Sequence, residues 1–359
     1  MSSNLIHRIP SLDGIRGLSI LMVVFGHAFR IYFHLIDIAN LGVRIFFIIS
    51  AYLIVTILKN NIINGKFSLK KFYFKRIMRT FPAFYFYIFC IYILLSWLDI
   101  FDLSQFWRAP VYLENYHSRS LWESQQWFVG HSWSLAVEEQ FYILVSFLFL
   151  MVNKNKITLK RANFIFLLLF FTSPLLRASF FLFDFYPDVM TGSIHRSFET
   201  VVDSIAIGGI MALTPFEVLQ KNKIIKYFDS KVYILFALVL GIQFLNSVFV
   251  REIFGLKVRF IYNLFGLSII NISLAIIIFN SISRYNSSIF KKALNTKILS
   301  YIGLLSYSIY LWQQVWLYEW NIPLALKFIG IIFSSLISYY LIEKPSLNFR
   351  NKVLLKYKI

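Results

Sequence analysis

Stretches of about 20 predominantly apolar residues, long enough to cross a bilayer core as a helix, recur along the chain between short segments rich in charge, Gly, Pro, Asn or Ser. Taking each run to its first charged or turn-forming residue gives ten candidate helices, roughly at 15–36, 41–58, 81–98, 134–152, 163–182, 200–216, 232–249, 260–280, 298–318 and 322–342. The predicted architecture is an all-α polytopic integral membrane protein. Ten spans leave only short connections within 359 residues, so positions 1–359 read as a single membrane domain with no appended soluble domain. An even number of spans puts both termini on the same side.

Composition fits this pattern. The chain is 58% hydrophobic and 15% charged, where a soluble domain carries about 25% charged residues, and its mean hydropathy is +0.66. Lys and Arg number 36 against 17 Asp and Glu, a formal +19. In a soluble protein such an excess suggests nucleic acid. In a polytopic one it reads as cationic loops held in the cytoplasm, and no nucleic-acid partner is expected. Between the ten spans, 25 cations fall in segments of one side, among them Arg8, Lys59 to Arg79, Lys154 to Arg161 and Lys344 to Lys358, and only six fall in those of the other, including Arg108, Arg119 and Arg196. Both termini are therefore expected in the cytoplasm, with the protein in the cell inner membrane and in contact with its lipid. Residues 1–9 lack the features of a cleaved signal peptide. Cys90 is the sole cysteine, so no intramolecular disulfide and no cysteine-type metal site can form, and no metal is expected.

All eight tryptophans (Trp97, Trp107, Trp122, Trp127, Trp133, Trp312, Trp316, Trp320) fall on the outer half of this arrangement. Trp312, Trp316 and Trp320 recur every four residues, predicting one aromatic face on the ninth helix. Lipid anchoring and a stacking platform for sugar rings both account for it.

Ionisable residues inside spans are costly, so each is a candidate for function. The first helix carries Arg16, His27, Arg30 and His34, with Asp13 just before it. Arg16 and His27 are eleven residues apart, which puts them about 20° from a common face and about 16 Å apart along the axis. A lone helical histidine is more often structural, but the aligned arginine and the depth in the bilayer favour a chemical role. Burial keeps imidazole neutral and able to take a proton from a hydroxyl, which makes His27 the candidate general base. There is no G-x-S-x-G motif, so the hydroxyl to be deprotonated is expected to belong to a substrate.

The 59–79 loop closes with Arg76 and Arg79, three residues apart and so on one helical face. Two such guanidinium groups suit the phosphates of a cytoplasmic donor, the bland alternative being topology and lipid headgroups. Further along, Trp133-Ser134-Leu135-Ala136-Val137-Glu138-Glu139-Gln140-Phe141-Tyr142 places two adjacent carboxylates near the start of the fourth span. Asp203 stands near the start of the sixth, before Gly208 and Gly209. Structural pairing with Arg44 or Arg177 is the alternative reading for these carboxylates.

With these residues identified, the sequence resembles the acyltransferase-3 family of integral membrane acyltransferases that modify bacterial surface glycans. Pro10 to Gly17 followed by Val23 to His27 is similar to the family's opening motif, Phe46 to Ser50 to its second-helix motif, and Arg76 with Arg79 to its arginine pair. Trp133 to Tyr142 is similar to its W-S-L-x-V-E-E-Q-F-Y signature, Asp203 to Gly208 to its later aspartate motif, and Gly303 to Trp312 with Glu343-Lys344-Pro345 to its C-terminal region. Ala51 and Gln313 depart from the glycine and histidine common at those places. The resemblance covers nearly the whole chain. It implies O-acylation, most often O-acetylation, from cytoplasmic acyl-CoA (acetyl-CoA), a donor substrate rather than a permanently bound cofactor. The acceptor is a hydroxyl of a surface polysaccharide, lipopolysaccharide or lipid-linked glycan of the cell envelope. His27, Arg16 and Glu138 are then the expected catalytic set; Arg76, Arg79 and Ser50 contact the donor; and Asp203, Glu139, Trp133 and Trp312 contact the acceptor. The rival is a multi-span transporter of a small anionic or sugar substrate, with the buried charges marking its route. The first-half motifs are not repeated in the second half, as inverted repeats would require.

Overall fold

The computed structural model describes residues 10–29, 35–116, 126–183, 193–283, 289–318 and 320–356, and these are helical with no strand among them. The principal helices are α1 (Pro10–Ala28), α2 (Ile38–Ile63), α3 (Leu69–Trp97), α4 (Trp133–Asn153), α5 (Leu159–Phe183), α6 (Phe198–Leu213), α7 (Val232–Leu245), α8 (Leu267–Ile282), α9 (Lys297–Leu317), α10 (Leu324–Ile337) and α11 (Lys344–Lys356). Among the described residues six helices are long and apolar enough to cross a membrane, at 38–63, 69–97, 127–153, 159–183, 257–282 and 324–356. A seventh is added if the segments 223–229 and 232–245, which meet at 99°, count as one broken span. The chain is accordingly a multi-pass membrane protein.

Two helices depart most from the expected bounds, and one expected face is lost. The helix α1 occupies 10–28 rather than 15–36, so His27 lies in its last turn; Arg30 and His34 lie outside the described residues, as do Arg8, Arg119 and Trp122. The helix α3 starts twelve residues before the expected 81 because Ser68 caps it, its Oγ accepting from the Lys71 amide at 3.2 Å. The cations of the 59–79 segment from Lys70 onward thus sit on the first turns of α3 rather than in a loop. The helix α9 ends at Leu317, before Asn321 and Pro323, so Trp320 is not on it and the three-tryptophan face does not form.

Two compact units divide the chain, one of residues 1–49 with 214–306, the other of 50–213 with 307–359. In the first unit, glycines of the opening motif explain why α1 packs as it does. A Cβ at Gly14 or Gly17 would strike the backbone carbonyl of Leu294 or Leu299, and one at Gly303 would strike that of Asp13. Only hydrogen fits where these backbones meet, as in small-residue contacts between membrane helices. Ser11 Oγ adds a bond to Asn295 Oδ1 at 3.0 Å. The buried Arg44 of α2 is hydrogen-bonded to amide oxygens, donating Nε to Asn40 at 2.7 Å and Nη1 to Asn271 at 3.1 Å.

In the second unit α3, α4 and the end of α9 enclose an apolar core of Ala83, Phe84, Tyr87, Ile88, Ile91, Leu95, Phe128, Val129 and Leu311. Separately, α5 packs along α6 through Gly209, whose missing side chain admits the Phe166 ring. Between α10 and α11 the chain runs as a π-helix from Ser338 to Glu343, which turns the buried Glu343 carboxylate to accept from Ser308 Oγ at 3.1 Å. Beyond it Ser346 Oγ donates to the Met78 carbonyl at 2.6 Å, docking α11 on α3.

Candidate active site

Every polar residue of the Trp133–Tyr142 signature has a partner within the second unit. Ser134, Glu138 and Tyr142 follow one another at four-residue intervals and share a face of α4. Glu138 Oε2 receives Arg76 Nη2 at 3.1 Å and the Tyr142 hydroxyl at 2.7 Å. Ser50 Oγ stands 2.9 Å from the Tyr142 oxygen and donates to it, since the tyrosine proton is already committed to Glu138. The Arg76 guanidinium also lies over the Tyr142 ring, 3.8 Å from its centre, a cation–π contact that gains strength away from water. Glu139 accepts from Thr80 Oγ1 at 3.5 Å, and Tyr307 donates to the Thr80 carbonyl at 2.9 Å. Gln140 points elsewhere: it exchanges two amide hydrogen bonds with Asn115, both 3.0 Å, and donates to the Tyr112 carbonyl at 3.1 Å.

This network assigns different surroundings to the two arginines expected to act as a pair. Arg76 is mostly buried and engaged by Glu138 and Tyr142. Arg79, three residues towards the Trp97 end of α3, lies within electrostatic reach of Arg350 on α11, which sits one turn beyond the Ser346 anchor. Ser50, Arg76, Glu138 and Glu139 are therefore gathered into one polar cluster, and Arg79 joins a cationic one.

The remaining expected residues lie on other elements. Arg16 and His27 belong to the first unit, both half-buried on α1, and Gly26 allows the end of α1 to approach the backbone of Ala39 closely. That contact fixes where His27 stands at the α1–α2 turn. Asp203 is fully buried and pairs with Arg177 Nη2 at 2.9 Å, and Arg177 in turn donates to the Thr200 carbonyl at 2.6 Å and to Ser173 at 3.3 Å. Of the two alternatives for Asp203, this is the structural pairing. Trp133 is buried. Trp312 stands edge-on to Tyr87 at 5.3 Å, its indole N–H buried with no hydrogen-bond partner. Trp316 and Trp320 are held within the protein, donating to Ser334 Oγ at 3.1 Å and the Val315 carbonyl at 2.5 Å, while Trp97 is 79% exposed.

Reading the sequence missed Tyr142, although its spacing from Ser134 and Glu138 marks it as part of the same face. It also missed Glu114, a carboxylate buried in the 99–116 loop with Arg196 and Arg108 nearby. Burial raises the Glu114 carboxyl to about 8, with the two arginines pulling it back. The folded protein therefore holds this proton more tightly than the unfolded chain. The stability it contributes is complete below the ordinary carboxylate range and declines as pH climbs towards 8. Glu114→Gln is expected to remove that decline, a change on the order of a few kcal/mol over the window at roughly 1.4 kcal/mol per pH unit. Thermal unfolding of the detergent-solubilised protein between pH 5 and 9 measures it; equal pH slopes for both proteins would count against this origin.

A family described as an acyltransferase domain matches residues 9–343 of the chain. Among similar proteins, the O-acetyltransferase OatA of Staphylococcus aureus is 29% identical over 365 residues. The putative peptidoglycan O-acetyltransferase YrhL of Bacillus subtilis is 30% identical over 376 residues. Both alignments take in 94% of this chain, which spans 57% of OatA and 55% of YrhL, little more than half of either relative. No solved structure matches the chain.

Proposed function

We propose, from the premise that this chain belongs to the acyltransferase-3 family, that it is a membrane O-acetyltransferase moving acetyl from cytoplasmic acetyl-CoA to a hydroxyl of a cell-wall glycan. The observation that carries this reading is the likeness to OatA and YrhL along 94% of the chain. The finer topology belongs to the same proposal: ten spans in the inner membrane with both termini inside, supported by the distribution of Lys and Arg.

In this reading Arg79 receives donor phosphates on the cytoplasmic side, where Arg350 adds a second guanidinium. His27 takes the proton of the acceptor hydroxyl. The freed oxygen attacks the thioester carbonyl, the carbon–sulfur bond breaks, and the protonated His27 gives its proton to the departing CoA thiolate as the ester forms. Arg16, one face along α1, positions the histidine. Within the second unit the Arg76–Glu138–Tyr142–Ser50 cluster is hydrogen-bonded and charge-balanced. Glu138 holds Arg76 and Tyr142 in place and keeps a buried cation compensated, and Glu139 is the carboxylate beside it available to acceptor hydroxyls.

The test is expression of the chain in a Gram-positive host deleted for its own wall O-acetyltransferases. Alkali-released acetate is then measured on purified wall glycan. Ester-linked acetate above the empty-vector level is the expected result; its absence, with the protein present in the membrane fraction, would overturn the proposal.

A further inference from the structure

The Tyr112 hydroxyl is placed in a way that the packing of its ring does not require. The residue's backbone is left-handed, with φ of 57°, as the turn that ends there requires: the Leu113 amide reaches back to the Arg108 carbonyl at 2.9 Å. The conformation is fixed on both sides: the amide donates to the Ala109 carbonyl at 3.1 Å, and the carbonyl accepts from Gln140 at 3.1 Å. The ring is stacked against Phe84 at 4.7 Å and Phe81 at 5.5 Å and meets Tyr85 edge-on at 6.4 Å. Phenylalanine would serve that stack equally well. The hydroxyl, however, is buried and has no hydrogen-bond partner, although buried tyrosine hydroxyls usually find one. It lies within electrostatic reach of both Glu139 and Arg76, and Arg76 Nε is a second buried donor with no partner in the same cluster.

A ring seated between aromatic neighbours, a buried hydroxyl without a hydrogen-bond partner, and a carboxylate and a guanidinium within electrostatic reach of it meet at one residue. We propose that the Tyr112 hydroxyl is an acceptor-binding contact, hydrogen-bonding a hydroxyl or ring oxygen of a sugar that enters beside Glu139. The inference rests on the acetyltransfer reading above and names a residue of its acceptor side. The chemistry suits a neutral, hydroxyl-rich ligand. Burial, reinforced by the Glu139 charge and opposed by Arg76, pushes the phenol above its ordinary value, so it stays protonated and both donates and accepts. Phe81, only partly buried beside the Tyr112 ring, adds apolar surface of the kind that sugar rings cover.

The experiment uses the full chain in lipid nanodiscs with radiolabelled acetyl-CoA and muramidase-released wall-glycan fragments as the acceptor probe. Tyr112→Phe keeps the stack and removes one oxygen. It is expected to raise the KM for the fragments about tenfold, with the KM for acetyl-CoA and the melting temperature unchanged. A fragment KM within twofold of the parent would overturn the inference. So would a rise in both KM values with a lowered melting temperature, which would mark the residue as a loop support only. A parent protein that transfers no label would overturn the acetyltransfer reading itself, and the inference would fall with it.

Discussion

His27→Ala is expected to lower acetyl transfer by a factor on the order of 10² to 10⁴, the range associated with losing a positioned general base. A sugar hydroxyl is a poor nucleophile until its proton is taken, and neutral imidazole is the side chain suited to take it near neutral pH. In the structure His27 occupies the last turn of α1, and the close approach of Gly26 to Ala39 fixes its position. The substitution removes no residue of the apolar core, so expression and melting temperature should hold while turnover falls. The measurement is initial rate at saturating acetyl-CoA beside a thermal melt of the same preparation. Activity within tenfold of the parent, in a protein that melts normally, would take the base assignment away from His27.

Asp203→Ala should produce the largest loss of stability. The Arg177–Asp203 pair has both side chains at 0% exposure, and removing one partner of such a pair leaves a buried charge uncompensated, typically costing about 3–5 kcal/mol. Arg177 would keep its bonds to Thr200 and Ser173, neither of which neutralises it. Replacing both residues with apolar ones of similar volume, Arg177→Met with Asp203→Leu, should recover most of the loss, because the desolvation penalty disappears together with the attraction. Thermal unfolding in detergent decides the matter. A single variant that melts like the parent but transfers poorly would return Asp203 to the acceptor site.

Much of the fold was legible in the sequence because bilayer thickness imposes a length and lipid imposes a composition. Each of the ten apolar runs overlaps a helix in the structure. The errors came where local signals competed. The density of cations from Lys66 to Arg79 suggested a loop, although Ser68 offered a cap and the apolar positions between the cations sustain a helix. The four-residue tryptophan spacing suggested a face that the end of α9 at Leu317 interrupts. The π-helical turn at Ser338–Glu343 left no local signature, yet it directs Glu343 towards Ser308.

The site divides in the same way. Periodicity alone aligned Arg16 with His27, and the ordered motifs identified the family. Partnership was decided only by tertiary packing. Arg76 meets Glu138 across 62 positions, Arg177 meets Asp203 across 26, and Arg79 is brought beside Arg350 by the docking of α11 on α3. The physical reason is the range of each constraint: helical period and bilayer thickness act on neighbouring residues of one segment, whereas the cost of burying a charge is met by whichever opposite group the packed helices bring within reach.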